Sequence, residues 1–265
     1  MLPTDLAKRY LQLLGAEQKK PSLGALRELV AAHVVRVPCE NVSTLYHRVR
    51  EGLLGLPDLD RHLDGIERHN VGGVCYTLNH YFGRLLSHIG YDVTSCADAA
   101  SIVALEGREY LVDVGHAAPL LDPLPLDLAS DYVLAWGRDR LALRPRTREG
   151  CPRVEFYHSG RLELAYSVDP AMRSVEFSRS MATRNRCDQP FSPTDVALAR
   201  FFPRGRSVAI RDLALIESAG TRSRVRPIGG CEGLARAIEQ YFEIPARIVE
   251  EALAPLDRTQ LRKTG

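Results

Sequence analysis

A chain of 265 residues can bury a sizeable core, and 45% hydrophobic with 26% charged residues is the composition of a globular protein. A net charge of +2 gives no electrostatic case for nucleic acid. No apolar run is long enough to span a membrane, and the opening Met1-Leu2-Pro3-Thr4-Asp5 does not read as a signal peptide. Cys39, Cys75, Cys96, Cys151, Cys187 and Cys231 are scattered, with no C-x-x-C pair and no zinc spacing, so no metal site is expected. Reduced cysteines fit a cytoplasmic chain.

The first third reads as helical. Leu6, Tyr10, Leu13 and Leu14 recur at helical spacing. Ser22 is placed to cap a second helix bearing Leu23, Leu26, Leu29, Val30 and His33, which Pro38 should stop. A third apolar segment runs from Tyr76 to Ile89 and ends at Gly90. The middle third changes period, with strands expected at Val93–Ala97, Ser101–Leu105, Glu109–Val114, Asp131–Trp136, Val154–His158 and Leu162–Tyr166. Glu106-Gly107-Arg108 and Ser159-Gly160 are turn signals, and Pro119, Pro123 and Pro125 mark an exposed connection. The last third mixes strands (Ser207–Ile216, Arg222–Pro227) with helices (Glu232–Phe242, Pro245–Leu253). Its arginines from Arg200 to Arg226 read as a solvated face, or else as a docking surface for an acidic carrier protein or a phosphate.

The stretch Gly72-Gly73-Val74-Cys75 sets a thiol at the start of an apolar helix. Free N–H groups and a partial positive charge there favour a thiolate and stabilise an adjacent oxyanion. A cysteine nucleophile needs a base and a group to orient it, and the hairpin that follows offers Asp98, Asp113 and His116. With a three-residue turn, Asp98 falls opposite His116. With a two-residue turn, Asp98 and Asp113 share a face and His116 points away, unless a bulge at Gly115 restores the contact. Each has a plainer reading: a buried thiol for Cys75, a loop histidine for His116, a turn residue for Asp98, a structural carboxylate for Asp113. His80 turns away from Cys75 on the helix, and His69 lies before the Gly-Gly turn.

Val37-Pro38-Cys39-Glu40-Asn41, Gly72-Gly73-Val74-Cys75 with Asn79, Leu111-Val112-Asp113-Val114-Gly115 and the Arg206–Ile216 passage together resemble the arylamine N-acetyltransferase family. The resemblance implies an α/β (α+β) fold with a papain-like cysteine site. Residues 1–90 would form a helical bundle carrying Cys75. Residues 91–190 would form an antiparallel β-barrel lobe with Asp98, Asp113 and His116, and residues 191–265 an α/β lid. In that family a histidine opens the strand whose hairpin partner ends in the aspartate. Here that place holds Asp98, while His116 stands where an aromatic usually follows Asp-Val-Gly. Glu40 and Asn41 read as scaffold, and Cys39, in a phenylalanine position, as a packed apolar residue.

The order Cys, Asp, His is similar to a Dieckmann cyclase branch that releases tetramates and pyridones from carrier-protein thioesters. The expected reaction is therefore ring closure of a β-ketoacyl chain held on Cys75. The donor would be an acyl thioester on phosphopantetheine, of a carrier protein or coenzyme A, with no tightly bound cofactor. Acyl transfer to an arylamine or amide formation is the alternative, and a non-catalytic binding protein of the same fold the third reading.

Overall fold

The computed structural model describes residues 2–53, 55–96, 100–145, 150–169, 196–211 and 213–254. Five helices come first: α1 (Thr4–Leu13), α2 (Leu23–Arg36), α3 (Val42–Glu51), α4 (Leu59–His69) and α5 (Cys75–His88). Ser22 accepts a hydrogen bond from the Ala25 N–H and starts α2, and Asp58 does the same for α4 through Arg61. The two-residue strand β1 (Cys39–Glu40) lies between α2 and α3.

Strands follow in three antiparallel sheets. The first is β2 (Asp92–Ser95), β3 (Ser101–Leu105), β4 (Arg108–Val112) and β5 (Leu124–Pro125), in that order. The second is β6 (Tyr132–Trp136), β7 (Asp139–Arg144), β8 (Arg153–His158) and β9 (Arg161–Ser167). The third places β1 beside β10 (Leu198–Phe202), β11 (Arg206–Arg211), β12 (Ala214–Ala219) and β13 (Arg222–Pro227). Helices α6 (Gly230–Phe242) and α7 (Ala246–Leu253) complete the described chain. The expected barrel is corrected. Among the described residues each middle sheet is an open four-stranded ladder, and neither closes on itself. The single strand expected over Ser207–Ile216 is two, β11 and β12, joined by a turn in which Leu213 has φ +55°.

Two apolar cores form. One gathers Tyr10, Leu26, Leu63, Leu78, Phe82 and Leu85 with strand residues such as Val103, Leu111 and Leu141. The other joins Val42 and Val71 to Leu198, Ile210, Leu234, Ile238 and Phe242. Val71 belongs to the second and Leu78 to the first, so the Gly72–Thr77 segment bridges the seam between them. Among the described residues no helix is long and apolar enough to cross a membrane.

The first core encloses two histidines. His33 is fully buried, with Nε2 2.9 Å from the Tyr10 hydroxyl, and His62 stacks on Tyr81 at 5.0 Å. Burial pulls each down to about 3; His62 adds to the effect on His33, and His47 and His80 to that on His62. An unfolded histidine binds its proton near pH 6.5, so below that the unfolded state holds protons that the folded state refuses. Their contribution is fully present above pH ~6.5 and falls as pH drops toward 3, by about 1.4 kcal/mol per pH unit for each histidine. Urea unfolding at pH 7 and pH 5 should show a large loss of stability. The His33→Gln/His62→Gln double variant should show a shallower pH dependence across the same window.

Candidate active site

Cys75 is the first residue of α5, and Val74 before it is extended. Two glycines deliver it there. Gly73 has φ +136°, a conformation L side chains rarely adopt. A Cβ on Gly72 would lie 1.9 Å from the Pro38 carbonyl oxygen, so only glycine allows that approach. The Glu40 N–H donates to the Gly73 carbonyl at 2.9 Å, fixing the turn against β1. The buried Glu40 carboxylate accepts from the Ser43 N–H at 2.8 Å and hydroxyl at 2.6 Å. Burial pushes its pKa up, and these bonds with those from the Val42 and Gly72 backbone oppose the shift. Asn41 accepts from the Ala197 N–H at 3.0 Å. Both residues therefore do scaffold work.

The hairpin register differs from the one that would set His116 opposite Asp98. Leu105 pairs with Arg108, so the turn is Glu106-Gly107 alone, with φ +52° and +76°. Asp98 lies outside the described residues. With this turn His116 points away in a regular ladder, unless a bulge at Gly115 restores the contact. Here it does not, because β4 ends at Val112 and the chain bends back on itself through residues 113–118, with Ala117 at φ +50°. His116 Nδ1 comes within 2.6 Å of Asp113 Oδ2, and both side chains are almost wholly buried. The pair that meets is His116 with Asp113.

Asn79 and Gly115 hold that bend. One turn after Cys75 on α5, Asn79 donates through Nδ2 to Asp113 Oδ1 at 2.9 Å and accepts from the Val114 N–H at 2.8 Å. A Cβ on Gly115 would sit 2.6 Å from Cys75 Cα and 2.8 Å from its carbonyl oxygen, so the residue before His116 rests directly on the cysteine backbone. The Cys39 thiol donates to the Gly115 carbonyl at 3.0 Å from the other side. Burial pushes the Cys39 thiol strongly up, with nearby Cys75, Glu40 and Asp113 adding to the shift, so it stays a neutral donor.

Asp113 also accepts from the Gly115 N–H at 3.0 Å and from the Tyr166 hydroxyl at 2.9 Å. Burial raises its pKa, but the His116 charge and the bonds from His116, Asn79 and Gly115 outweigh this and hold the carboxyl below its ordinary range. The His116 ring clusters with Tyr166 at 5.1 Å and Phe156 at 5.3 Å, both nearly parallel to it, and those two rings lie 6.5 Å from each other. Contact with the two rings restrains the plane of the imidazole. Nothing in the sequence around Phe156 or Tyr166 singled them out, since each reads as one more aromatic on a strand.

Chemically, a thiol at a helix N-terminus abuts, through Gly115, a bend carrying a carboxylate-paired histidine. A model of the N-acetyltransferase family matches residues 22–101. Proansamycin X synthase of Amycolatopsis mediterranei is 31% identical over 45% of this chain and 52% of its own length. Arylamine N-acetyltransferase of Mycolicibacterium smegmatis is 31% identical over 44% and 49%. The chain thus spans about half the length of these curated relatives. The structure of Mycobacterium marinum arylamine N-acetyltransferase in complex with CoA covers 97% of both chains with a TM-score of 0.70 and 20% identity. The chain is similar in sequence to the N-acetyltransferase family over residues 22–101, and it shares the fold of arylamine N-acetyltransferase structures over nearly its whole length.

Because Gly115 packs on Cys75, Gly115→Ala forces α5 and the bend apart. The expected cost is about 1–3 kcal/mol in urea unfolding. Alkylation of Cys75 by iodoacetamide, followed by mass spectrometry, should slow as well, whereas Gly160→Ala, at an open hairpin turn, should leave it unchanged.

Proposed function

We propose that the chain is a cysteine enzyme acting on acyl thioesters, with Cys75 as nucleophile, His116 as base and Asp113 as the group that orients it. One observation carries the reading: the Gly115 backbone lies against Cys75 while the next residue, His116, pairs with Asp113. Asp98, also a candidate from the sequence, is assigned no step.

Cys75 thiolate attacks the thioester of a phosphopantetheine arm, carried by coenzyme A or a carrier protein. The backbone N–H groups at the start of α5 face the oxyanion, and protonated His116 returns its proton to the departing thiol. Neutral His116 then stands beside the acyl-enzyme. In the reading we favour, a carbon flanked by two carbonyls loses its proton, attacks the Cys75 thioester and expels the sulfur, closing a tetramate or pyridone ring. The chain order Cys75, Asp113, His116 supports this branch, as does a relative named as a synthase rather than an acetyltransferase. The second reading, transfer of the acyl group to an amine, is favoured by the relatives named arylamine N-acetyltransferases.

Incubated with a β-ketoacyl-aminoacyl thioester mimic, the protein should release cyclic product and free thiol. Cys75→Ala should abolish this, and His116→Ala should slow it about 10²–10⁴-fold. Robust transfer from acetyl-CoA to an arylamine without cyclisation selects the second reading. Equal, slow iodoacetamide labelling of Cys75 in wild type and His116→Ala rejects both.

A further inference from the structure

A cavity of about 200 Å³ opens beside His116, and the steps above leave most of its polar wall unused. A second histidine–carboxylate pair stands on that wall. Asp139 opens β7 and His158 closes β8, directly across the ladder from it. His158 Nδ1 lies 2.5 Å from Asp139 Oδ1, and both side chains are about one-quarter exposed. A carboxylate on Nδ1 selects the tautomer whose Nε2 accepts a proton.

The local backbone brings this pair to the cavity. Phe156 pairs with Leu164 but Tyr157 pairs with Leu162, so Glu163 is an extra residue on β9. Such bulges re-aim side chains. Here Phe156, Tyr157 and His158 all line the cavity in succession, with the bulged Glu163. Phe156 is the ring stacked on His116, so His158 follows two residues beyond the cover of the first base. Arg211 of β11 faces the same space, 3.6 Å from Glu163.

We propose that His158, oriented by Asp139, is a second base, which takes the proton from the nucleophile that resolves the Cys75 acyl-enzyme. The inference rests on the acyl-thioester reading of Cys75. His116 is tied to Asp113 and stacked against two rings, beside the Gly115 backbone that rests on Cys75, which suits it to the sulfur. The nucleophile enters from the cavity, where His158 and Arg211 stand. The substrate class is an acyl chain bearing a carbon acid between two carbonyls. Its C–H proton passes to His158 Nε2, and Arg211 faces the negative charge that develops on the enolate oxygen. The new C–C bond forms as the C–S bond to Cys75 breaks, and the sulfur leaves as thiolate. The proton on His158 returns through solvent to His116, restoring the thiolate–imidazolium pair.

The test separates the two half-reactions by rapid quench with the β-ketoacyl-aminoacyl N-acetylcysteamine thioester. Thiol release reports acylation, and cyclic product reports resolution. An acetyl thioester with an arylamine acceptor is run in parallel. His158→Gln should slow resolution at least about tenfold more than it slows acylation, within the range usual for losing a general base. Added imidazole should restore part of the lost rate in His158→Gly, which a purely structural role would not allow. Equal loss in both half-reactions, or no loss in either, overturns the proposal and leaves the Cys75 reading standing. Resolution by the amine alone in the wild type overturns the carbon-acid assignment. Absence of Cys75 acylation in the wild type overturns both.

Discussion

The site depends on one buried carboxylate. Asp113 receives Asn79 from α5, Tyr166 from β9, the Gly115 N–H from its own bend, and His116. An isolated buried charge would be strongly unfavourable, and satisfying each lone pair is what makes it tolerable. Those partners lie on separate elements, so the carboxylate fixes where the helix, the second middle sheet and the bend meet. Removing one contact leaves the others carrying an underbonded charge, so the network should respond as a unit.

Some of this was legible in the sequence. The Tyr76–Ile89 pattern gave α5 to within a residue, because its apolar stripe is regular and Gly-Gly precedes it. Ser22 announced α2 because its cap is local. Helix α3 was not legible, since the Glu40 carboxylate that bonds its first turn sits in the Val37–Asn41 motif and reads there as scaffold, not as a helix start. Helix α4 was missed although Asp58 is a good cap, its apolar positions being few among charges. Strand β7 was passed over because arginines interrupt its alternation.

The hairpin shows where sequence reasoning runs out. Glu106 adopts a positive φ, which a glutamate gives no reason to expect, so the turn looked a residue longer than it is. In a regular ladder that one residue decides which carboxylate faces His116. The rescue of His116 then comes from Asn79, which the sequence offered only as part of a motif, and from the bend at Gly115, where the sequence left a bulge open. Close backbone approach is invisible until two segments are seen together. The turn in β11–β12 was hidden for a similar reason, since Leu213 carries the positive φ there.

The short strand β1 has a kinetic meaning as well. It joins the third sheet by pairing with β10, and Asn41 reaches Ala197 across 156 positions of chain. The same segment supports the Gly-Gly turn before Cys75. Contacts so distant in sequence close late, because the entropy of the intervening loop is lost before they form. The helices around Tyr10 and Phe82 can condense early from local contacts, but the thiol acquires its setting only when the C-terminal sheet docks. A nascent chain would thus hold an unsupported Cys75 until β10 and its sheet have been made, and reactivity would emerge when that sheet docks on β1.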